Sequence, residues 1–316
     1  MPTNLPRIAI CLFGIERSID KTASSIQRNV IVPAATMGQV SIHAHFFEQA
    51  TINNPRSGEY NACPVSAEKY LFIDTLIKTE GGTRGILKKI EELKVYGDAW
   101  NDHFRSLNNL VHQLHSIQIS YAQAVKSGAD IVAFIRPDLN YHDDLSLVFR
   151  KAVSHHRLGR SSIFTPDWQR WGGVNDRFAI AVGQKAAMAY GSRIEFAKKF
   201  CEESGCPLHS EKLLAFALIE RRVKVFCIPH RASRVRANQV QSWEDFDHHF
   251  VKVIGNNIKK VRPKILGKML FGLHKAMAYV LCRNRYIKID PPNGVSRRSK
   301  KEEITLRKRS QSHFHG

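Results

Sequence analysis

Three short polar segments adjoin apolar runs, where an α/β enzyme places the residues that act on its substrate. In the first, GIER, Gly14 and Arg17 come directly after a strand-like run. Backbone amides at such a turn and a planar guanidinium can both bind an anionic nucleotide. An ordinary strand-to-helix turn with a surface arginine is the alternative for an isolated segment of this kind.

The second segment, IRPDL, places Arg136 and Asp138 at the end of another apolar run. A carboxylate fixed there can hold a divalent metal that neutralises a diphosphate leaving group, or it can accept hydrogen bonds from a sugar. Catalytic groups of open α/β sheets lie at the carboxyl ends of strands. Asp138 is therefore preferred over Asp143 and Asp144, which fit a solvated turn or a helix cap.

The third segment, TPDWQRWGGVNDRFAIAVG, crowds two tryptophans, a diglycine and several charges before a further apolar run. Trp168 and Trp171 suit stacking on sugar rings or bases, and adjacent glycines let the backbone approach a ligand closely. Asp176, flanked by Asn175 and Arg177, can act as a base or orient a hydroxyl. A surface loop pinned by tryptophan packing is the alternative.

Apolar runs with strand and helix periodicity alternate along the chain and must position these segments. Residues 7–13 (RIAICLF) have the composition of a buried parallel strand, and the apolar residues from 104 to 125 repeat at helical spacing up to Gly128. Strands alternating with helices predict a mostly parallel α/β sheet flanked by helices, with residues 51–63 as a loop. The predicted strands are 7–13, 40–47, 131–135, 161–164, 178–182 and 223–228, and the predicted helices are 86–93, 104–125, 184–203, 210–221 and 242–254.

The order of these motifs resembles that of a known enzyme family. LFGIER, FIRPDL, FTPDWQRWGGVNDRFAIAVG and LHSEKLLAFALIERRVKVFCIP, within residues 7–236, look like bacterial GT-A-type nucleotide-sugar glycosyltransferases of the surface-polysaccharide and lipopolysaccharide kind. NDRF is the most specific of these motifs. The resemblance implies a GT-A-like, Rossmann-like fold and transfer of a sugar, of the hexosyl type, from a nucleotide-sugar donor to a surface-glycan or lipid-linked acceptor.

The resemblance also implies roles for individual residues. Asp138 would be the surviving aspartate of an Asp-x-Asp motif that holds Mn²⁺ or Mg²⁺, but Arg136 stands where the first aspartate would be. An arginine there could supply part of the missing positive charge, because it is always protonated. Asp176 and Glu211 would be catalytic, and His209 would be a metal or phosphate ligand. The residues implied to bind the donor are Gly14, Arg17, Arg136, Asp138, Asn175 and Arg177.

Two of these roles have simpler structural alternatives. Glu211 could favour a helix N-terminus that Ser210 caps, and a single histidine beside a cap, such as His209, is more often structural.

Cys201 and Cys206 with His209 have a spacing that could bind zinc, but no fourth ligand is near in the sequence. Scattered cysteines in a chain of this length predict thiols rather than a disulfide framework.

The positive charge is concentrated at the C-terminus. Residues 259–316 contain 16 of the 48 Lys and Arg residues but only three acids, and the whole chain has a net charge of +20. We expect a catalytic domain over 1–258, a basic amphipathic helical extension over 259–289 and a disordered basic tail over 290–316. Such a tail favours an anionic membrane surface, although its helix could instead dock on the protein's own core.

The sequence also bears on the location of the protein and on the partners that it binds. The first six residues leave no room for a signal peptide before the first strand, and no run reaches the ~18 apolar residues that a membrane span requires. A cytoplasmic protein, peripheral on the inner membrane face, is therefore predicted. No motif indicates specific nucleic-acid binding. A non-catalytic glycan-binding or polyanion-binding protein, associated with nucleic acid through charge alone, remains the alternative function.

Overall fold

The computed structural model describes residues 5–54 and 58–246, together with the backbone of residues 286–287. Its elements alternate between strands and helices. The strands are β1 (Arg7–Ile15), β2 (Gln39–Glu48), β3 (Ile52–Asn54), β4 (Glu59–Ala62), β5 (Thr75–Glu80), β6 (Ile131–Ile135), β7 (Leu139–Tyr141), β8 (Ser162–Pro166), β9 (Ala179–Val182), β10 (Lys224–Ile228), β11 (Ala232–Arg234) and β12 (Tyr286–Ile287). The helices are α1 (Ile19–Ile26), α2 (Val32–Ala35), α3 (Arg84–Lys94), α4 (Arg105–Lys126), α5 (Ser146–Arg157), α6 (Gln184–Gly191), α7 (Ala197–Ser204) and α8 (Ser210–Glu220).

The main sheet has eight strands in the order β12-β10-β8-β9-β6-β1-β2-β5. Strands β5, β2, β1 and β6 run parallel to one another, as do β8 and β10. Strand β9 is antiparallel to both of its neighbours, and β12 is antiparallel to β10. The predicted mostly parallel, Rossmann-like α/β sheet is therefore confirmed.

Both faces of the central strand β1 are covered, which explains its uninterrupted apolar sequence. Ile8, Ile10 and Leu12 belong to one buried cluster, while Ala9, Cys11 and Phe13 belong to another. Helices α1 and α5 cover the first face, and α4, α6 and α8 cover the second. Because successive side chains of a strand point to opposite faces, this alternation fixes β1 between two helical layers.

Several local predictions need correction. The region predicted as a loop at 51–63 contains the hairpin β3–β4, and the edge strand β5 was not predicted. The helix predicted over 184–203 is divided into α6, a 3₁₀ turn and α7. At the division, a Cβ on Gly191 would lie 2.3 Å from the Tyr121 ring, so the close approach of α6 to α4 requires glycine. Residues 242–246 are not helical, and the rest of the helix predicted at 242–254 lies outside the described residues.

The predicted basic extension and disordered tail also lie outside the described residues, apart from the backbone of β12. The domain boundaries at 258 and 289 consequently stay predictions. Within the described part of the chain, no helix combines the length and apolarity needed to cross a membrane.

Candidate functional site

A cavity of about 330 Å³ opens where β1, β2 and β6 end at their carboxyl edge. Arg17, Arg136 and Asp138 supply its charges, and Phe13 and Phe47 supply aromatic surface. A volume of this size lies within the range of small-molecule sites, about 300–1,000 Å³. Six side-chain amides also line the cavity, those of Gln49, Asn53, Asn54, Asn108, Asn109 and Gln113.

Asp138 is the buried carboxylate at this edge, and arginine side chains contact both of its oxygens. Both of its carboxylate oxygens accept hydrogen bonds from Arg136, whose Nε and Nη2 each lie 2.9 Å away. The Nε of Arg17 is 3.6 Å from Asp138 Oδ2. Burial of Asp138 would raise its pKa, but the charge and hydrogen bonds of Arg136, with Arg17 and Arg234, hold that pKa well below its ordinary value. Asp138 is therefore a carboxylate that is bound and kept ionised by arginine side chains.

The side of the site at Arg17 is closed by Glu59 and residues 235–237, which are distant from Arg17 in sequence. The Nη1 of Arg17 contacts both carboxylate oxygens of Glu59, at 3.1 and 3.3 Å. The backbone amide of Ala237 donates to the same glutamate at 2.6 Å, and the Ser18 hydroxyl donates to the carbonyl of Val235 at 2.9 Å. Glu59 is fully buried, so it fixes the Arg17 guanidinium in place.

Gly14 contributes space rather than a hydrogen-bond donor. Its backbone amide donates to the Ser116 hydroxyl at 2.7 Å and so is not available to a ligand. Its φ of +111° is a conformation that favours glycine, and an added Cβ would have no atom within 4 Å. Gly14 lines the cavity, so the absence of a side chain there leaves room for a ligand.

Asp176 lies at a second carboxylate centre beside the cavity rather than among the residues that line it. The Ser210 hydroxyl donates to Asp176 Oδ2, and Arg193 Nη2 is 3.8 Å from the same oxygen. Burial of Asp176 would raise its pKa, but Arg193, Arg177, the Ser210 hydrogen bond and Arg136 together lower it. Arg136, which binds Asp138 directly, thus also acts electrostatically on Asp176 and links the two centres.

Glu211 adjoins Asp176 at the start of α8. Burial and the nearby charge of Asp176 raise the pKa of Glu211, while contact with His209 lowers it. The Nδ1 of His209 is 3.2 Å from Glu211 Oε2. The diglycine loop packs on the same turn, because a Cβ on Gly173 would lie 2.1 Å from the Glu211 carbonyl oxygen. The structure therefore places Asp176, His209 and Glu211 close to one another, but none of the three lines the cavity, so their catalytic and ligand roles stay predictions.

The tryptophan loop places its two indoles differently. Trp168 has no exposed surface, and its Nε1 donates to the His230 carbonyl at 2.9 Å, so it cannot stack on a sugar. The prediction of sugar stacking by Trp168 is corrected in this way, because its ring completes the core. Trp171 is exposed and stays a candidate.

Asn175 and Arg177 brace the same loop. The Asn175 amide donates to the Trp168 carbonyl at 2.5 Å, and its Oδ1 accepts from the Arg177 backbone amide at 2.8 Å. The Arg177 guanidinium donates to Gln169 at 3.2 Å and acts electrostatically on Asp176. Neither residue lines the cavity, so donor binding by these two residues stays a prediction.

The residues do not fit a divalent metal ion. Both oxygens of Asp138 already accept from Arg136, and a metal would add a third cation beside Arg17. His209 contacts Glu211 and Trp100 rather than Asp138. Across the described residues, no group of three or more His, Cys, Asp or Glu side chains is arranged to hold a metal, which also bears on the zinc spacing at Cys201 and Cys206.

The sequence motifs missed much of the charge around the site. Arg193 is fully buried, with its guanidinium 4.1 Å from the Tyr190 ring centre, and Arg234 binds Glu244 through Nε at 2.7 Å. An excess of arginine in residues 231–236 (RASRVR) was the only available signal. The interacting guanidiniums are those of Arg17, Arg136, Arg177, Arg193, Arg234 and Arg236, and the carboxyl groups among them are those of Glu59, Asp138, Asp176, Glu211 and Glu244.

Comparison with known proteins identifies no family. No protein-family model matches the chain, and no curated protein matches it. The crystal structure of mouse xyloside xylosyltransferase 1 in its apo form is similar, with a TM-score of 0.34 and 11% identity, over 70% of this chain and 84% of that chain. The neighbour is a glycosyltransferase by name, but a likeness at this level shows neither family membership nor activity.

Proposed function

We propose that this protein transfers a sugar from a nucleotide-sugar donor to a hydroxyl of a glycan or lipid-linked acceptor. The observation that carries the proposal is the cavity at the sheet edge, where Arg17 and Arg136 stand among six amides and two aromatic rings. The guanidiniums match the charge of a diphosphate, and amides beside aromatic rings match the polar edges and flat faces of a nucleoside. Ligands of open α/β sheets bind at this edge.

The two arginines would stabilise the departing nucleoside diphosphate. Charge develops on the leaving oxygens as the bond from the anomeric carbon to the phosphate oxygen breaks, and fixed cations stabilise that charge without reorganising. Asp138 orients Arg136 through its two hydrogen bonds, so the guanidinium is held before the substrate arrives. No step in this proposal requires a metal.

Asp176 and Glu211 would manage the acceptor proton. The acceptor oxygen forms its bond to the anomeric carbon, the diphosphate leaves with the electron pair, and the hydroxyl proton moves to a carboxylate. A carboxylate with a raised pKa is the better proton acceptor. Glu211 therefore fits the proton transfer, and Asp176, whose pKa is lowered, fits the orientation of the hydroxyl.

Calorimetric titration with nucleoside diphosphates and their sugar conjugates tests the proposal. Removing one charge-assisted contact costs about 1.5–3 kcal/mol, so Arg136→Gln should weaken diphosphate binding by about 10- to 100-fold. Arg150→Gln, on the exposed side of α5, is the matched control and should bind as the wild type does. If no nucleotide binds to the wild type, the non-catalytic glycan-binding alternative replaces the transferase.

We also propose that the acceptor lies at the inner face of the membrane. The support is the charge of residues 259–316, which favours anionic lipid headgroups. A chain ending at residue 258 should lose most of its binding to vesicles of anionic phospholipid while it still binds nucleoside diphosphate. Equal vesicle binding by the full and shortened chains would contradict the membrane proposal.

A further inference from the structure

Helix α4 lines the cavity with two adjacent pairs of polar side chains. Asn108 and His112 are four residues apart, and so are Asn109 and Gln113, so the members of each pair are neighbours on the helix surface. All four residues line the cavity. A ligand in the cavity therefore meets this face of the helix.

The hydrogen-bonding role of His112 is fixed by its surroundings. Its Nδ1 lies 2.9 Å from the backbone carbonyl of Asn108, which can only accept, so Nδ1 carries the hydrogen. The Nε2 atom of the neutral imidazole is then an acceptor. The ring also packs edge-on against Phe47, with 5.0 Å between ring centres and 74° between planes. His112 thus presents one acceptor in a fixed orientation.

Gly81 leaves the Nε2 atom of His112 accessible from the cavity. Gly81 lines the same cavity, and a Cβ added to it would lie 3.9 Å from Nε2 and meet no other atom within 4 Å outside its chain neighbours. Within residues 5–54 and 58–246, Nε2 has no hydrogen-bond partner. An open acceptor of this kind is complementary to an N–H or O–H group of a ligand.

The next residue, Gln113, presents a donor. Its Oε1 accepts from Arg136 Nη1 at 3.3 Å, and because a guanidinium can only donate, this contact fixes which end of the amide is the oxygen. The amide N–H₂ group has no acceptor in the described part of the chain. Residues 112 and 113 therefore offer one acceptor and one donor side by side. The edge of a nucleobase carries the complementary pair, an N–H group beside a carbonyl or a ring nitrogen.

The contacts of these two residues give a bound nucleotide a direction. Gln113 contacts the guanidinium of Arg136, whereas His112 contacts the uncharged ring of Phe47. A diphosphate at Arg17 and Arg136 would place the rest of the nucleotide along α4 towards His112. Ribose hydroxyls both donate and accept, so a fixed acceptor beside a fixed donor discriminates between bases rather than between riboses.

We propose that His112 is a specificity-determining residue that recognises the base of the nucleotide donor. Its Nε2 accepts a hydrogen bond from a base N–H group, while the Gln113 amide donates to the neighbouring acceptor of the same base. The inference rests on the proposed glycosyltransferase function and adds which part of the donor α4 binds. A base that turned an acceptor towards Nε2 would leave two acceptors facing each other, so the site selects among bases.

Calorimetric titration of the full chain with UDP, CDP, ADP and GDP tests this assignment, with pyrophosphate as a probe that lacks a base. The wild type should prefer one base. His112→Phe keeps a ring beside Phe47 but removes the acceptor, so it should bind the preferred nucleotide about 3- to 10-fold more weakly, with a narrowed base preference and unchanged pyrophosphate affinity. His112→Gln retains an acceptor oxygen and should lose less. His156→Phe, in α5 and outside the cavity, is the matched control and should bind as the wild type does.

The outcomes separate this inference from the transferase proposal. If nucleotides bind but His112→Phe, with a wild-type melting temperature, keeps the wild-type affinity and base preference, base recognition by His112 is refuted while the transferase proposal stands. Equal losses of pyrophosphate and nucleotide binding would place His112 at the diphosphate and refute it too, as would a wild type without base preference. If the wild type binds pyrophosphate but no nucleotide, both proposals fail. Should His112→Phe be destabilised, His112→Gln decides by the same comparison.

Discussion

Replacing Asp138 by asparagine separates a counter-ion for arginines from a metal ligand. The substitution keeps the shape of the side chain but removes the negative charge between Arg136 and Arg17. It also turns one oxygen into an amide N–H₂ group, which would face a guanidinium donor of Arg136 at a position now 2.9 Å away. One of the two hydrogen bonds is therefore lost, and two donors oppose each other in its place.

The size of the effect follows from burial. Asp138 is 3% exposed, and the side chain of Arg136 is 14% exposed. Breaking a buried ion pair costs about 3–5 kcal/mol, and the residual exposure of Arg136 favours the lower value, about 3 kcal/mol. For a domain of this size such a loss lowers the melting temperature by about 6–12 °C.

The effect should also depend on pH. Burial alone would raise the pKa of Asp138, but Arg136 and its neighbours outweigh burial and depress it below the ordinary value of 3.8. A carboxyl group whose pKa is lower in the folded than in the unfolded protein stabilises the fold at pH values above its unfolded pKa. This stabilisation is lost as the pH falls from the unfolded pKa through the folded pKa. The difference between wild type and Asp138→Asn should therefore be constant from pH 7 to pH 5 and shrink below about pH 4.

Urea unfolding at these pH values, with and without Mn²⁺, measures the prediction. We expect Mn²⁺ to leave the stability of both proteins unchanged, because arginines already occupy the carboxylate. Diphosphate binding by Asp138→Asn should be weakened less than in Arg136→Gln, since both guanidiniums remain present. A stability loss below about 1 kcal/mol, or a Mn²⁺-dependent stabilisation that only the wild type shows, would refute the counter-ion role.

Two further substitutions test the packing and the charge at the start of α8. Gly173→Ala would place a Cβ 2.1 Å from the Glu211 carbonyl oxygen and should destabilise the fold by about 3 kcal/mol in urea unfolding. Gly85→Ala in α3, where a Cβ meets no atom within 4 Å, is the control and should stabilise by up to about 1 kcal/mol; equal effects would contradict the packing. Because burial and Asp176 raise the pKa of Glu211 above its ordinary value of 4.5, the wild type should lose stability as the pH rises from that value through the raised pKa. Glu211→Gln should lack this loss, and a Glu211→Gln variant that becomes less stable relative to wild type at pH 8 would show that the sign is wrong.

The sheet was predictable because its central strands are buried on both faces. Residues 8–13 and 131–135 are continuous apolar runs, and they form neighbouring central strands. The antiparallel direction of β9 was not predictable, since a short apolar run such as AIAV has the same composition in either direction. Strand β5 was missed because its side chains are only partly buried at the sheet edge and show no alternation of apolar and polar residues.

The site was predictable where its residues are close in sequence. Arg136 and Asp138 are two positions apart at a strand end, so their proximity follows from local geometry. Glu59 meets Arg17 only through the fold, and nothing in the sequence of β4 marks it. Trp168 and Trp171 are equivalent by composition, yet one is buried and the other exposed, because long-range packing decides which indole turns inward.

The arginine at position 136 contributes to a fixed positive charge at the cavity. Guanidiniums remain charged near neutral pH, and Asp138 and Glu59 hold two of them at the cavity. Six guanidiniums of the cluster face five carboxyl groups, so the cluster has an excess of positive charge before a ligand binds. This excess favours the binding of an anion such as a diphosphate. Affinity for that anion should then fall with ionic strength rather than with chelation of metal.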